Sequence, residues 1–221
     1  MKLPAIFFFL AALSASAEDI ELKLAAPILP ILKAEIAKHW PTAPFAVLAG
    51  QASHESACPI PRKCWNPRVE FNTTRERGAG ILQITKVYGR FDALGELKAK
   101  HPSLEGWNWE TTLTDPTFQM RGLVLKNRDN YSVMGFAPIE KERIAFSVTA
   151  FNAGVGGVMK DRTYCRNTAN CDPSRWFGHV QTTCTASKTK LQGYGLTFCQ
   201  IRGKYADDIM HNRAPRYEGW K

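Results

Sequence analysis

The chain has 221 residues, of which 44% are hydrophobic and 22% are charged, a composition typical of a globular protein with one sizeable core. It has neither a low-complexity bias nor an apolar run of about 18 residues, which excludes wholesale disorder and an ordinary membrane-spanning helix. The formal charge of +9 favours an anionic partner, which could be a nucleic acid, a membrane or a cell-wall polymer.

The N-terminal segment contains the three parts of an export signal. Lys2 supplies a positive charge, residues 5–13 are apolar, and residues 15–17 read ASA, the small residues that a signal peptidase needs. We therefore predict a signal peptide over 1–17 and an exported chain, periplasmic or secreted, over 18–221. An anchor that is not cleaved is the alternative interpretation of the same stretch. Loss of Lys2 lowers the charge from +9 to +8, and export argues against a nucleic-acid partner.

The six cysteines fall into three pairs of near neighbours: Cys58 with Cys64, Cys165 with Cys171, and Cys184 with Cys199. In an oxidising compartment we expect disulfides, and short loops favour these local pairings. Six cysteines permit 15 connectivities, so the pairing is a preference. A zinc site is the competing interpretation, but neither Cys-x-x-Cys nor His-Glu-x-x-His spacing occurs in the chain.

The predicted elements are mostly helices. In chain order they cover 29–36, 45–56, about 86–100, a segment that starts at Asp115-Pro116, then 140–150 with Gly154 as the stop, and 199–213. Residues 160–200 are rich in Cys and Thr and are predicted to be irregular. Neither a repeat nor a linker divides the chain, so we expect a single, mainly α domain.

A helix ending in Glu-Ser is the first candidate for chemistry. Glu55 shares a helical face with Leu48, Gln51 and Ala52. Desolvation beside apolar neighbours and the negative end of the helix dipole both favour the protonated carboxyl group. A general acid working near neutral pH needs this property. Taken alone, the motif also fits an ordinary surface glutamate.

Two further motifs each present a single amide. Residues 78–84 read GAGILQI, and Gln83 is the one amide within the apolar stretch that follows the glycines. Such an amide must be hydrogen-bonded or face a polar cavity. Residues 150–154 read AFNAG at a predicted helix end, where Asn152 either caps the helix or directs its amide at a ligand.

Together, and in this order, the motifs resemble those of the lysozyme-like soluble lytic transglycosylases (SLT domains) and goose-type lysozymes. That family has Glu-Ser at a helix end, a Gly-Leu-Met-Gln loop and a later Ala-Tyr-Asn-Ala-Gly, which correspond here to Glu55-Ser56, 80–83 and 150–154. A weaker match is 202–205, RGKY, which resembles the family's final segment. The resemblance covers about 44–210 and implies a lysozyme-like fold with loops held by disulfides.

The resemblance implies a lytic transglycosylase that breaks the β-1,4 bond between N-acetylmuramic acid and N-acetylglucosamine in peptidoglycan. Glu55 would be the sole catalytic acid and base. It would protonate the glycosidic oxygen and then accept the proton of the muramoyl 6-hydroxyl, which closes to a 1,6-anhydromuramoyl end. The resemblance implies no cofactor and no metal, and we expect a monomer whose partner is the glycan strand.

The resemblance also assigns the residues that support the reaction. Gln83 and Asn152 would position sugar hydroxyls and N-acetyl groups, and Ser56 would support the geometry of the acid. Phe151 stands where the family has Tyr, so its apolar contact would survive without the hydroxyl. Tyr205 would stabilise the positive charge at the anomeric carbon. Envelope-assembly or lysis proteins are further candidate partners, and wall turnover, secretion-channel assembly and phage lysis all remain open.

Two rival functions remain open at this point. A hydrolytic lysozyme of the same fold would need a second carboxylate, about 6.5–9.5 Å from the acid in an inverting enzyme, and Glu70 and Glu76 are the candidates. A non-catalytic wall-binding or assembly module would keep the fold without the chemistry.

The long insert between Glu55 and Gly78 differs from the family, and three residues compete for the place of a family serine: Asn72, Thr73 and Thr74.

Overall fold

The computed structural model describes residues 19–186, 188 and 196–220. This part is mainly helical with one small sheet and three disulfides, in agreement with the predicted class. The predicted signal peptide, 1–17, lies outside the described residues. Among the described helices none is both long and apolar enough to span a membrane. The described residues form two compact units, one comprising 19–124 with 216–220 and the other the described part of 125–215.

The first unit contains α1 (19–25), α2 (Leu29–His39), α3 (Phe45–Glu55), β1 (Glu70–Asn72), β2 (Glu76–Ala79), β3 (Ile84–Val87), β4 (Phe91–Asp92) and α4 (Ala93–Lys100). The predicted helices near 29–36 and 45–56 are confirmed as α2 and α3. Helix α2 tolerates Pro30 because its first turn needs no backbone N–H from that residue. Its apolar face is buried through Leu29, Leu32 and Ile36.

The prediction of a helix over about 86–100 was wrong in its first half. That half forms strand β3, a tight turn and strand β4, and α4 begins only at Ala93. The Asp92 side chain caps α4 by accepting a 2.9 Å hydrogen bond from the Gly95 N–H. The backbone of Lys86 and Val87 pairs with Arg77 and Glu76 of β2 across a hairpin instead of closing helical turns.

The sheet is an antiparallel meander in the order β1-β2-β3-β4. At one end of the central hairpin, Ala79 pairs with Ile84 across the loop 80–83. At the other end, Glu76 pairs with Val87. The sheet therefore presents the glycine-containing loop at one end and the turns on either side of this hairpin at the other.

The division between the units falls within α5 (Pro116–Val133). The predicted start of this helix is confirmed, since the Asp115 side chain accepts a 2.7 Å hydrogen bond from the Thr117 N–H and Pro116 is the first helical residue. The second unit continues with α6 (Glu140–Ala153), α7 (Val155–Arg166) and α8 (Phe198–Asp207). The predicted stop at Gly154 is confirmed, and its φ of 72° suits glycine.

The prediction that 160–200 is irregular holds only in part. Helix α7 continues to Arg166, and Val180–Thr182 forms a 3₁₀ turn. The predicted last helix, 199–213, is present as α8 followed by a π-helical turn, Asp208–Arg213. A capping box starts α8, because the side chains of Thr197 and Gln200 bond each other's backbone N–H groups.

The core of the second unit is aromatic, with Phe146 packed edge-on against Trp176 at 5.4 Å between ring centres. The buried Glu142 carboxylate accepts hydrogen bonds from the N–H groups of Trp176 (2.7 Å) and Phe177 (3.1 Å). These contacts fasten the segment after α7 to α6.

The three disulfides have the predicted local connectivity. Cys58 bonds Cys64, Cys165 bonds Cys171, and Cys184 bonds Cys199. Each bridge joins residues whose Cα atoms lie 4.4 to 5.5 Å apart, within the usual range for disulfides. The first bridge immediately follows the Glu-Ser motif.

Candidate active site

Glu55 is the last residue of α3 and is half-buried. The three residues predicted to share its face, Leu48, Gln51 and Ala52, are buried. After Glu55 the chain makes a Schellman turn: the Ala57 N–H donates to the His54 carbonyl at 3.0 Å, and the Cys58 N–H donates to the Ser53 carbonyl at 3.1 Å. The backbone on both sides of Glu55 is therefore held by hydrogen bonds.

Ser56 is buried and fastens this turn to the following loop. Its hydroxyl accepts a 3.0 Å hydrogen bond from the Trp65 N–H. The disulfide from Cys58 to Cys64 closes the same short loop covalently. This geometry is compatible with the predicted support of Glu55 by Ser56, which acts here through the backbone of the turn.

A buried carboxylate lies behind the same end of α3. Glu21 is 2% exposed, and its Oε1 accepts hydrogen bonds from the hydroxyls of Ser53 (2.5 Å) and Tyr217 (2.6 Å). Its Oε2 accepts from Arg216 Nη1 at 2.7 Å, and the Tyr217 hydroxyl accepts from Trp65 Nε1 at 3.0 Å. We call these five residues the Glu21 cluster. Through Ser53 it braces the helix that carries Glu55, and through Trp65 it also contacts the residue that follows the disulfide loop.

The Glu21 cluster leads to a prediction for alkaline solution. Burial and, next, the Glu21 carboxylate raise the pKa of the Tyr217 hydroxyl above its usual value of about 10. The neutral phenol is thus favoured in the folded state, so its contribution to stability is complete below about pH 10 and is lost as the pH rises further. We expect this residue to lower the free energy of unfolding by up to about 1.4 kcal/mol per pH unit above pH 10.

Urea unfolding of the wild type and of Tyr217→Phe, measured at pH 9 and pH 11, tests this expectation. The variant should lose less stability between the two pH values, because Phe cannot ionise in the unfolded state. Equal losses in both proteins would show that Tyr217 titrates alike in the folded and unfolded chains.

The loop 80–83 connects β2 and β3 and carries the second motif. Gly80 has a φ of 73°, and a side chain there would collide with Gln119. Ile81 and Leu82 are buried, whereas Gln83 is half-buried with a φ of 46°. Gln83 Nε2 donates a 2.7 Å hydrogen bond to the Gly80 carbonyl. Of the two predicted alternatives for this amide, the structure has the hydrogen-bonded one.

Gln119 on α5 holds this loop, and the sequence analysis missed it. Its Oε1 accepts from the Ile81 N–H at 2.9 Å, while its Nε2 donates to the carbonyls of Pro67 (3.0 Å) and Leu113 (2.9 Å). The side chain is 1% exposed, so these bonds replace all of its contact with water. Its only signal in the sequence is a polar residue in the first turn of a well-capped helix.

We expect Gln119→Met to lower the free energy of unfolding by about 2–3 kcal/mol. Methionine fills a similar volume but removes the side-chain partner of the Ile81 N–H and of the Pro67 carbonyl, while the Leu113 carbonyl keeps only its hydrogen bond from Trp107 Nε1 (3.3 Å). Urea denaturation of the oxidised protein measures the effect, and Lys100→Met on the exposed end of α4 is a control for the added side chain. A loss equal to that of Lys100→Met would mean that water replaces the lost bonds.

The second unit contains the other residues assigned by resemblance. Asn152 is exposed in the last turn of α6, and Phe151 beside it is 8% exposed. The ammonium group of Lys126 lies over the Phe151 ring, 4.0 Å from its centre. An exposed amide at this position is compatible with ligand contact, and the apolar ring is already covered on one face.

Tyr205 lies in α8, and its side chain is 2% exposed. Nearby on the same helix, Arg202 Nη1 donates a 2.5 Å hydrogen bond to the buried Asp161 on α7. Asp161 also accepts from the N–H and the hydroxyl of Thr185, both at 2.7 Å. The RGKY segment thus contributes an internal ion pair and a buried phenol to the second unit.

The two alternative carboxylates of the first unit are both ion-paired. Glu70 pairs with Arg77, and Glu76 pairs with Arg75 at 2.8 Å. The hydrogen bond that Arg77 Nε donates to the Glu70 carboxylate is also the main reason that the pKa of Arg77 is raised. A carboxylate whose lone pairs already bind a guanidinium is a poor base for activating water. Across the described residues, no group of three or more His, Cys, Asp or Glu side chains is arranged to hold a metal ion.

The chain matches no known protein-family model, and a search of curated proteins finds no significant match. Family membership is therefore a proposal that depends on the three motifs. The geometry that bears on it is the restrained end of α3 with Glu55 and the restrained loop 80–83 of the same unit.

Proposed function

We propose that the chain is an exported, lysozyme-like lytic transglycosylase that cleaves peptidoglycan glycan strands with Glu55 as the only catalytic acid and base. The observation that carries this proposal is the position of Glu55: half-buried at the last residue of a helix whose end is fixed by a Schellman turn, a disulfide loop and the Glu21 cluster. Catalysis by one carboxyl group benefits from such a restrained helix end, because the same group must first give and then take a proton at fixed positions.

In the proposed reaction, protonated Glu55 donates its proton to the glycosidic oxygen as the bond to the muramoyl anomeric carbon breaks. The resulting carboxylate accepts the proton of the muramoyl 6-hydroxyl, whose oxygen bonds the anomeric carbon. The products are a free N-acetylglucosamine end and a 1,6-anhydromuramoyl end, without consumption of water. Glu55 ends the cycle protonated, as it began.

The neighbouring residues have supporting roles in this proposal. Gln83 would contact the sugar through its amide, whose Nε2 is already oriented by the Gly80 carbonyl. In the second unit, Asn152 and Phe151 would make the polar and apolar contacts assigned by resemblance, and Tyr205 would stabilise the developing positive charge. The three disulfides support export, because such bridges persist in oxidising compartments.

Transglycosylation is preferred over hydrolysis because of the ion pairs of Glu70 and Glu76. An inverting hydrolase needs a second carboxylate to activate water. Here the two candidate carboxylates, Glu70 and Glu76, already form ion pairs with Arg77 and Arg75. Product analysis must therefore distinguish the proposed transglycosylase from a hydrolase.

The test is a digest of purified cell-wall sacculi with the oxidised chain lacking residues 1–17, followed by mass spectrometry of the released muropeptides. We expect products that lack one water at the muramoyl end. Ordinary reducing ends would establish hydrolysis and direct attention to Glu70 and Glu76. Absence of any release by folded, oxidised protein would favour the wall-binding or assembly module.

A further inference from the structure

A groove of about 340 Å³ lies at the end of the sheet away from the loop 80–83. Its lining is Arg75, Glu76, Val87, Arg90 and Phe91. Arg75 and Arg90 lie in two adjacent turns, one between β1 and β2 and the other between β3 and β4, and the other three residues are the strand ends beside these turns. The intervening strand residues separate the groove from the loop 80–83 by about 10 Å. The groove is therefore distinct from the part of the sheet that carries Gln83.

Hydrogen bonds hold the two turns in place. The Tyr88 N–H donates to the Arg75 carbonyl at 3.0 Å, and the Tyr88 hydroxyl donates to the Asn72 side chain at 2.9 Å. Within the first turn, Thr73 Oγ1 accepts from the N–H groups of Arg75 (3.2 Å) and Glu76 (3.0 Å). The walls of the groove are thus formed before any ligand arrives, which lowers the entropy cost of binding.

One of the two arginines in the groove is ion-paired and the other is not. Arg75 pairs with Glu76 at 2.8 Å, which leaves the groove with the net charge of one arginine. Arg90 is exposed, and its guanidinium has no ion-pair or hydrogen-bond partner within 19–186, 188 and 196–220. Beside it, the Phe91 ring is 43% exposed. A guanidinium next to an apolar ring suits a ligand that carries a carboxylate and a short aliphatic part.

The acid in the groove narrows the class of ligand. Polyphosphates and nucleic acids bind to several neighbouring cations, and Glu76 would repel their charge. An isolated carboxylate needs only one cation, and Arg90 is the lining cation that is not paired with Glu76. A peptide with a free carboxylate and an aliphatic side chain satisfies both requirements.

We propose that this groove binds a carboxylate of the peptide side chains of peptidoglycan, with Arg90 as the carboxylate ligand and Phe91 as the apolar floor. The identity of the polymer rests on the proposed function, since the groove by itself specifies only a peptide carboxylate. The groove gives the chain a second point of attachment to its substrate. It selects strands that carry peptides over bare glycan.

Binding is tested without cleavage, in a Glu55→Gln background, by sedimentation of the protein with purified sacculi. The comparison substrate is glycan strands that an amidase has freed of their peptides and that are coupled to beads, since loss of the peptide cross-links makes the strands soluble. Arg90→Gln should weaken binding to peptide-bearing sacculi about tenfold and leave binding to stripped glycan unchanged. The affinity of Arg90→Lys for peptide-bearing sacculi should lie between those of the unchanged Arg90 protein and Arg90→Gln, because lysine keeps the charge but loses the planar pair of donors.

Arg68→Gln is the matched control, since Arg68 is exposed in the same unit but does not line the groove. If Arg90→Gln and Arg68→Gln weaken binding to both substrates equally, the proposal is overturned in favour of non-specific charge attraction. Wild-type binding that does not depend on the peptides would overturn it as well. Because the assay needs no catalysis, failure of the sacculus digest to show cleavage is a separate result.

Discussion

Replacement of Glu55 by Gln is expected to lower glycan-strand cleavage by about 10²–10⁴-fold, the usual contribution of a positioned general acid and base. Gln has nearly the same size and can still accept a hydrogen bond, but it cannot deliver a proton to the glycosidic oxygen. The fold should survive because the turn after Glu55 is held by backbone hydrogen bonds and the disulfide, neither of which uses the carboxyl group. Release of soluble muropeptides from sacculi measures the loss.

Three other Glu→Gln variants serve as controls for this experiment. Glu96→Gln, on the exposed face of α4, should keep full activity and controls for a change of net charge. Glu70→Gln and Glu76→Gln should retain most activity if no second carboxylate is needed. Full activity of Glu55→Gln would remove Glu55 from the mechanism. A loss in Glu70→Gln or Glu76→Gln as large as that in Glu55→Gln would instead indicate a hydrolase with two carboxylates.

The largest effect on stability is expected at the Glu21 cluster. Glu21→Gln should lower the free energy of unfolding by about 3 kcal/mol, because it removes a buried carboxylate that pairs with Arg216 and accepts hydrogen bonds from the hydroxyls of Ser53 and Tyr217. The new amide N–H groups would also face groups that now donate to the carboxylate. A loss of this size is a large share of the roughly 5–15 kcal/mol by which a typical domain is stable. Urea unfolding of the oxidised protein near pH 7 measures it.

Glu96→Gln again provides the control, with an expected change close to zero because its side chain is exposed. A double-mutant cycle with Tyr217→Phe separates the contact between Glu21 and Tyr217 from the rest of the cluster. We expect the two losses to be less than additive, since Tyr217→Phe removes and Glu21→Gln weakens the same 2.6 Å hydrogen bond. Equal stability of Glu21→Gln and Glu96→Gln would contradict the proposed role of Glu21 in bracing α3.

Variants of the Glu21 cluster also allow an effect on catalysis to be measured separately from an effect on stability. Ser53 is part of the cluster and lies on α3 shortly before Glu55. If the cluster braces the proposed acid, Tyr217→Phe should lower kcat for glycan cleavage under conditions in which the variant is fully folded. The Gln119→Met variant is a useful comparison, because it loosens the loop 80–83 and not the end of α3.

Local signals predicted much of the secondary structure. Asp115-Pro116 and Gly154 act through the backbone of their own turns, so their effect is visible in a few consecutive residues. The disulfides are similar, because each joins cysteines that are near neighbours in the chain. Strand β3 was missed because its stability depends on pairing with β2, and short apolar segments fit helix and strand alike.

For the candidate site, the sequence by itself determined that Glu55 ends a helix with its apolar face buried and that Gln83 follows a glycine loop. The tertiary structure alone decided what holds these residues. Gln119 bonds Ile81 from 38 positions away, and Tyr217 bonds Glu21 from 196 positions away. Periodicity and capping report only on neighbours within a few turns, whereas such hydrogen bonds form only after the chain has brought distant segments together and excluded water from them.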